Sequence, residues 1–175
     1  MTALKTERLI LKPLGPEYLD TTHKYSSDLD NCRLMVFLPN ESLEETLQFL
    51  VDAEAEWAKE NPSYYEFAII LNDTHIGAIS LYLEDDGETA ELGGILDKAY
   101  HGRGYTTEAA KALIKYASEN MGIHHFIAHC DSENAASYSV MEKLGMIRTD
   151  THMGRKNRSS DEERKEYLYE KTVNN

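Results

Sequence analysis

Two rhythms of apolar and polar residues alternate along this chain, one of period two and one near 3.6, and they lay out its elements. Thr6 to Leu14 (TERLILKPL) places Leu9 and Leu11 on one side of a first strand that Pro13 ends. Pro16 suits the first turn of a helix running to about Ser26, and Asp28 to Pro39 fits a short helical turn leading into MVFLP. Ser42-x-x-Glu45 is a capping box. It opens a helix whose apolar positions Leu43, Leu47, Leu50 and Trp57, with Val51 and Ala58 beside them, are expected to face the core before Asn61-Pro62.

The rhythm then becomes that of strands. Tyr64 to Leu71 and His75 to Leu83 flank Asn72-Asp73 as a hairpin, and Glu88 to Leu96 follows the Asp85-Asp86-Gly87 turn. Short turns make these three strands antiparallel. A helix from about Thr106 carries Ala109, Ala110, Leu113, Ile114, Tyr116 and Ala117 on one face and ends at Met121-Gly122. His124 to Cys130 is a strand, and the next helix is expected to bury Ala136, Val140, Met141 and Leu144 before Gly145. Met146 to Met153 and Glu166 to Val173 are the last strands, around a polar loop, Gly154 to Arg164. The β-α-β run after Leu96 adds a parallel crossover to an antiparallel sheet. The fold class is therefore α/β (α+β mixed): a mixed, mostly antiparallel sheet of six to seven strands flanked by about four helices.

At 175 residues, 41 % of them apolar, the chain reads as a single globular domain spanning 1–175. No run approaches the roughly 20 apolar residues of a membrane span. The N-terminus lacks the apolar core of a signal peptide, and Cys32 and Cys130 have no metal-type spacing. A cytoplasmic protein with free thiols is expected. The net charge of −13, from 18 Lys plus Arg against 31 Asp plus Glu, argues against nucleic acid and favours cationic partners, unless it serves solubility alone.

The chemistry centres on Gly102-Arg103-Gly104, between a strand and a helix. Two glycines permit a tight turn, and the helix behind them presents free N–H groups at the positive end of its dipole, a cradle for phosphate. The turn is not a P-loop, because Tyr105-Thr106 stands where Lys-Ser/Thr is needed, and it lacks the third glycine of a dinucleotide fingerprint, which is Thr107 here. A turn with no ligand remains the other reading. His125 and His129 share a strand face about 13 Å apart, too far to chelate one metal together.

Two motifs on these elements, ELGGILDKAYHGRGYTTEAAKAL (Glu91 to Leu113) and NAASYSVMEKLGM (Asn134 to Met146), together with the opening TERLILKPL, resemble the GNAT superfamily of acyl-CoA-dependent N-acyltransferases. Within it the chain looks most like the ribosomal-protein N-terminal acetyltransferase branch. The resemblance implies acetyl-CoA or coenzyme A as cofactor, its pyrophosphate at the N–H groups of Gly102, Arg103, Gly104, Tyr105 and Thr106. It implies a pantetheine arm along the strand edge Leu92, Gly94, Ile95 and Leu96, and near Asn134 and Ser137 on the second helix. Gly93-Gly94 would thin that strand, or else form a β-bulge. Asn134 can equally be a helix cap.

The sequence departs from the family pattern twice. Ala99 stands where a Gln or Arg usually opens the turn motif, and Met141 stands where many members carry a proton-donating Tyr. Ser137 is the favoured replacement donor, as in the ribosomal branch, with Tyr138 as runner-up. Glu91 is the first choice of general base, unless it is only an exposed strand carboxylate. Glu66 and Tyr82 are weaker candidates for the acceptor pocket, and His101 for a phosphate contact. The implied activity is transfer of an acetyl group to a primary amine, on a protein N-terminus or a small molecule. A polyamine or aminoglycoside acceptor, or a non-catalytic acyl-CoA sensor, stands as the alternative. Neither metal nor membrane is implied, and a homodimer is a family expectation only.

Overall fold

The computed structural model describes residues 3–174, and every strand in it joins one sheet. In chain order the elements are β1 (Leu4–Lys5), β2 (Leu9–Pro13), α1 (Leu19–Ser26), α2 (Leu29–Cys32), α3 (Leu43–Trp57), β3 (Tyr64–Leu71), β4 (Thr74–Leu83), β5 (Thr89–Leu96), α4 (Tyr105–Met121), β6 (His125–Asp131), α5 (Ala135–Lys143), β7 (Ile147–Arg155) and β8 (Arg164–Thr172). The sheet order is β1-β2-β3-β4-β5-β6-β8-β7. Only the β5–β6 pair is parallel. The two elements beyond the expected number are the shortest, β1 and α2, which are too brief to show a period.

Local chemistry sets the joints. Asn72 and Asp73 take positive φ, 47° and 62°, as a tight hairpin between β3 and β4 requires. Ser42 caps α3, its side chain accepting from Glu45 N at 3.1 Å, while Glu45 accepts in return from Glu41 N at 2.7 Å. Gly122 ends α4 at φ 74°.

The two faces of the sheet differ. One, with Phe67, Ile69, Ile79, Leu81, Ala90, Leu92, Phe126 and Ala128, is covered by the Ala109, Ala110, Leu113, Ile114 and Ala117 side of α4 and by Met141 and Leu144. The other buries Ala68, Ile70 and Ala78 under Leu14 and Leu50. α1 and α3 reach β3 and β4 on the sheet.

Three expectations about burial change. The inner stripe of α3 is Thr46, Leu50, Ala53 and Glu56, while Leu43, Leu47 and Val51 lie 44 %, 39 % and 41 % exposed. The polar members of that stripe have partners: Thr46 has His23 and Asn40, and Glu56 has Lys59 and Ser63 N. Ala136 is exposed and Val140 half-buried, and Met141 is the one residue of α5 that is fully buried. The 154–164 segment is not simply a solvated loop. β7 continues to Arg155, and Asn157 is buried with its amide donating to the carbonyls of Cys32, Met35 and Leu38. The loop therefore fixes the chain between α2 and α3.

Candidate functional site

β5 and β6 run together for three rungs only, Thr89↔His125, Ala90↔Phe126 and Glu91↔Ile127, and then part. Backbone groups along a strand point alternately to its two neighbours. The Glu88 carbonyl accepts from His125 N at 3.1 Å, and Asp97 N donates to Ile76 O at 2.9 Å. Even-numbered residues of β5 therefore turn towards β6, and odd ones towards β4. Leu92 N–H completes the last rung, and beyond it Gly94 and Leu96 turn their amides to the gap, while Ile95 bonds to β4. The β4–β5 register is regular through Gly93 and Gly94, so the pair forms no bulge; in the β3–β4 pair the extra residue is Ile76 of β4, opposite Ile69 and Ile70.

The glycine turn closes one end of this gap. Gly102 and Gly104 hold φ of 75° and 80°, which an L-residue reaches only under strain. Gly104 is the N-cap of α4 and offers no side chain to its amides, so the first N–H groups of the helix stay open. Arg8 holds the turn from behind: its Nη1 donates to Arg103 O at 3.0 Å, and its guanidinium lies 4.6 Å over the Tyr105 ring. Arg8 is in turn fixed by Glu108 at 2.6 Å, and Thr6 donates to the same carboxylate at 2.5 Å. Burial would raise the Glu108 pKa, but these hydrogen bonds outweigh it and hold the carboxyl below its usual value. His101 is occupied by Leu96 O at 2.9 Å rather than turned outward. Ala99 is exposed, on a 3-10 turn (Lys98–Tyr100) that Asp97 caps.

α5 lies on the α4 side of the sheet. Asn134 caps it, accepting from Ser137 N at 3.1 Å. Ser137 faces β6 at Cys130, whose thiol burial pushes up to about 11. Tyr138 packs on Tyr167 of β8, ring centres 6.0 Å apart, one strand further from the gap. Met141 points into the core.

On the opposite face, register aligns Tyr64, Glu66, Ser80, Tyr82, Glu91 and Gly93 side by side. Glu91 stands on the last β5–β6 rung, and His129 Nδ1 of β6 is 2.8 Å from its Oε1. The Glu91 hydrogen bond raises the His129 pKa, aided by the charges of Glu91 and Glu166, against burial and Arg155. His125 bonds to Thr172 and Glu170 instead, and no cluster able to hold a metal occurs among the described residues. Arg8 is a member of the site that the sequence pattern did not single out, and His129, weighed there only as a metal ligand, joins Glu91 instead.

Residues 8–147 match the family model described as the acetyltransferase (GNAT) domain. The chain is 32 % identical over 148 residues to the uncharacterized N-acetyltransferase YnaD of Bacillus subtilis (strain 168), covering 83 % of this chain and 82 % of that protein. A GNAT-family acetyltransferase structure from Bacillus anthracis superposes with TM-score 0.81 at 30 % identity, over 98 % of both chains. The ribosomal alpha-N-protein acetyltransferase RimL, solved in complex with coenzyme A, shares the fold alone, with TM-score 0.84 at 16 % identity and 98 % of each chain covered. No helix among the described residues is long and apolar enough to cross a membrane. A parted strand pair beside a glycine-capped helix, in a chain with these relatives, is the frame of an acetyl-CoA-dependent transferase: the protein belongs to the GNAT family of acetyltransferases.

Proposed function

We propose that this protein acetylates a primary amine, with the acceptor entering over the polar face beside Glu91. The observation that carries this is the position of Glu91 on the last rung before the strands part, with the amides of Gly94 and Leu96 just beyond it. The residues fit coenzyme A: the capless amide end of α4 suits the pyrophosphate at Gly102 to Thr106, and a Cβ at Gly102 would meet nothing within 4 Å. The open edge of β5, with Asn134 and Ser137 nearby, would hold the amide-rich pantetheine arm by strand-like pairing. Acetyl-CoA supplies an activated acetyl group as a thioester.

The chain's own residues manage protons and charge. An alkyl ammonium has a pKa of about 10.4, so Glu91 takes its proton, directly or through one water. The Gly94 N–H faces the gap, where negative charge develops on the acyl oxygen. The Ser137 hydroxyl gives a proton to the departing sulfur and is restored, through water, by the second proton that the nitrogen sheds as the amide forms; Tyr138, turned to β8, is the lesser candidate. Ala99 leaves the turn without a side-chain phosphate ligand, and the backbone amides carry that task.

Excess acetyl-CoA at about 100 times its Kd is expected to add about 2.7 kcal/mol of stability. For a chain of this size the thermal midpoint then rises by roughly 5–10 °C. An unmoved midpoint in folded protein would remove the cofactor reading of Gly102 to Thr106.

His129 adds a pH dependence. Its folded pKa lies above 6.5, so its pairing with Glu91 stabilises the fold fully below that value and fades as pH rises through the raised pKa. The imidazolium also occupies Glu91 and repels an incoming ammonium. kcat/KM should therefore climb as His129 deprotonates, with an inflection above pH 6.5 that disappears in His129→Gln. A pH–rate profile of both proteins checks this; an inflection unchanged in the variant assigns it elsewhere.

A further inference from the structure

Along the polar face from Glu91, a buried carboxylate has no cation. Glu66 is 2 % exposed, and its two oxygens accept from Tyr82 Oη at 2.6 Å and Ser80 Oγ at 2.5 Å. No Lys, Arg or His forms an ion pair with it among the described residues. Burial pushes its pKa up, and the two hydroxyls offset this only in part. Nearby on α1, the hydroxyls of Thr22 and Tyr25 are buried beside one another, neither in a well-formed hydrogen bond. Burial raises the Tyr25 pKa, the Thr22 hydroxyl beside it acts the other way, and the nearby Glu66 charge raises it further. Tyr82 is 39 % exposed, and its ring centre lies 5.7 Å from that of Tyr64.

An unpaired buried carboxylate and two poorly bonded hydroxyls all disfavour the folded state. One ligand group answers each of them. An ammonium brings the missing charge, donates to the free lone pairs of the carboxylate and hydroxyls, and is attracted to tyrosine ring faces. Glu66 lies two strands from Glu91, about 10 Å by strand spacing. Such a separation fits two amino groups at the ends of one flexible aliphatic chain.

We propose that Glu66, with Thr22, Tyr25 and Tyr82, binds a second ammonium group of the acceptor, so that the substrate is an aliphatic diamine or polyamine rather than a monoamine. The proposal rests on the reading of Glu91 as the site of the reacting amine. The negative charge of the chain, −13, draws such polycations in.

The test compares spermidine with hexylamine as acceptors, by thiol release, and as ligands of the coenzyme A-bound protein, by thermal midpoint. Spermidine is expected to show at least tenfold higher kcat/KM and a larger midpoint rise, and Glu66→Gln is expected to remove most of both preferences. Tyr82→Phe, which keeps the ring and loses the hydroxyl at the mouth of the site, serves as a second variant should Glu66→Gln fail to fold, and is expected to reduce both preferences. Equal handling of the two amines by the wild type, or a preference untouched in a folded variant, overturns the proposal. If neither amine is acetylated, a polyamine is not the substrate, while transfer to another primary amine is untouched. The midpoint comparison then decides the ammonium site alone: a spermidine-specific rise lost in the variant supports it, and no rise refutes it.

Discussion

Glu91→Gln is expected to lower kcat by about 10²-fold or more at pH 7, while leaving acetyl-CoA binding within about twofold of wild type. The amide is nearly isosteric and can still bond His129, now 2.8 Å from the carboxylate, so the rung between β5 and β6 should hold. It cannot accept a proton. A group that acts only as the ammonium loses its proton should affect kcat at saturating amine, not only KM. The deficit should also shrink as pH approaches the acceptor's own pKa, near 10.4, where the neutral amine is already abundant. Steady-state kinetics across pH, with the acetyl-CoA midpoint shift measured in parallel, check each point. A loss confined to the KM for amine would make Glu91 an electrostatic attractor, and the base would have to be sought elsewhere on the polar face.

The outline of this site was legible because cofactor chemistry leaves local marks. Two glycines at φ 75° and 80° before an apolar-faced helix announce an open helix N-terminus, whatever lies around it. The β3–β4 hairpin was equally local, since Asn72-Asp73 states its turn. What stayed hidden depends on partners distant in sequence. Arg8 supports the turn from 95 residues away, through Arg103 O, and nothing in TERLIL announces that role. His129 meets Glu91 only because the parallel register sets Glu91 opposite Ile127, and register across a crossover has no local signature. The inner stripe of α3 was misread for a related reason: Thr46 and Glu56 are inside because distant or non-adjacent groups satisfy them, while hydropathy alone would put Leu43 and Leu47 there. The docking of Asn157 on three carbonyls between residues 32 and 38 was likewise invisible to a polar-loop reading.

The largest effect on stability should come from Arg164→Met. Arg164 Nε bonds Asp131 at 2.5 Å, with Asp131 only 1 % exposed, and its other nitrogens reach Glu133 and Glu162 at 2.9 and 3.2 Å. Removing one partner of a buried pair leaves the other charge uncompensated, at about 3–5 kcal/mol. For this chain length that predicts a midpoint lower by roughly 10 °C or more. The sign with pH follows from Asp131. Burial would raise its pKa, but the Arg164 bonds and the Glu133 N–H outweigh this and hold it below 3.8. Its contribution is thus present above about pH 3.8 and is lost as pH falls through the lower folded value. Wild type and variant should therefore differ fully at neutral pH and converge in strong acid. The consequence extends to the cofactor side, because Asp131 also receives Glu133 N at 2.8 Å and Asn134 N on its carbonyl at 2.9 Å, just ahead of Ser137. Where Arg164→Met still folds, acetyl-CoA affinity should fall as well, through misplacement of Asn134 and Ser137. A variant as stable as wild type would show that the Asp131 charge stays compensated without Arg164 and that the pair contributes nothing to the fold, because protonating the carboxyl at neutral pH would itself cost about 4 kcal/mol.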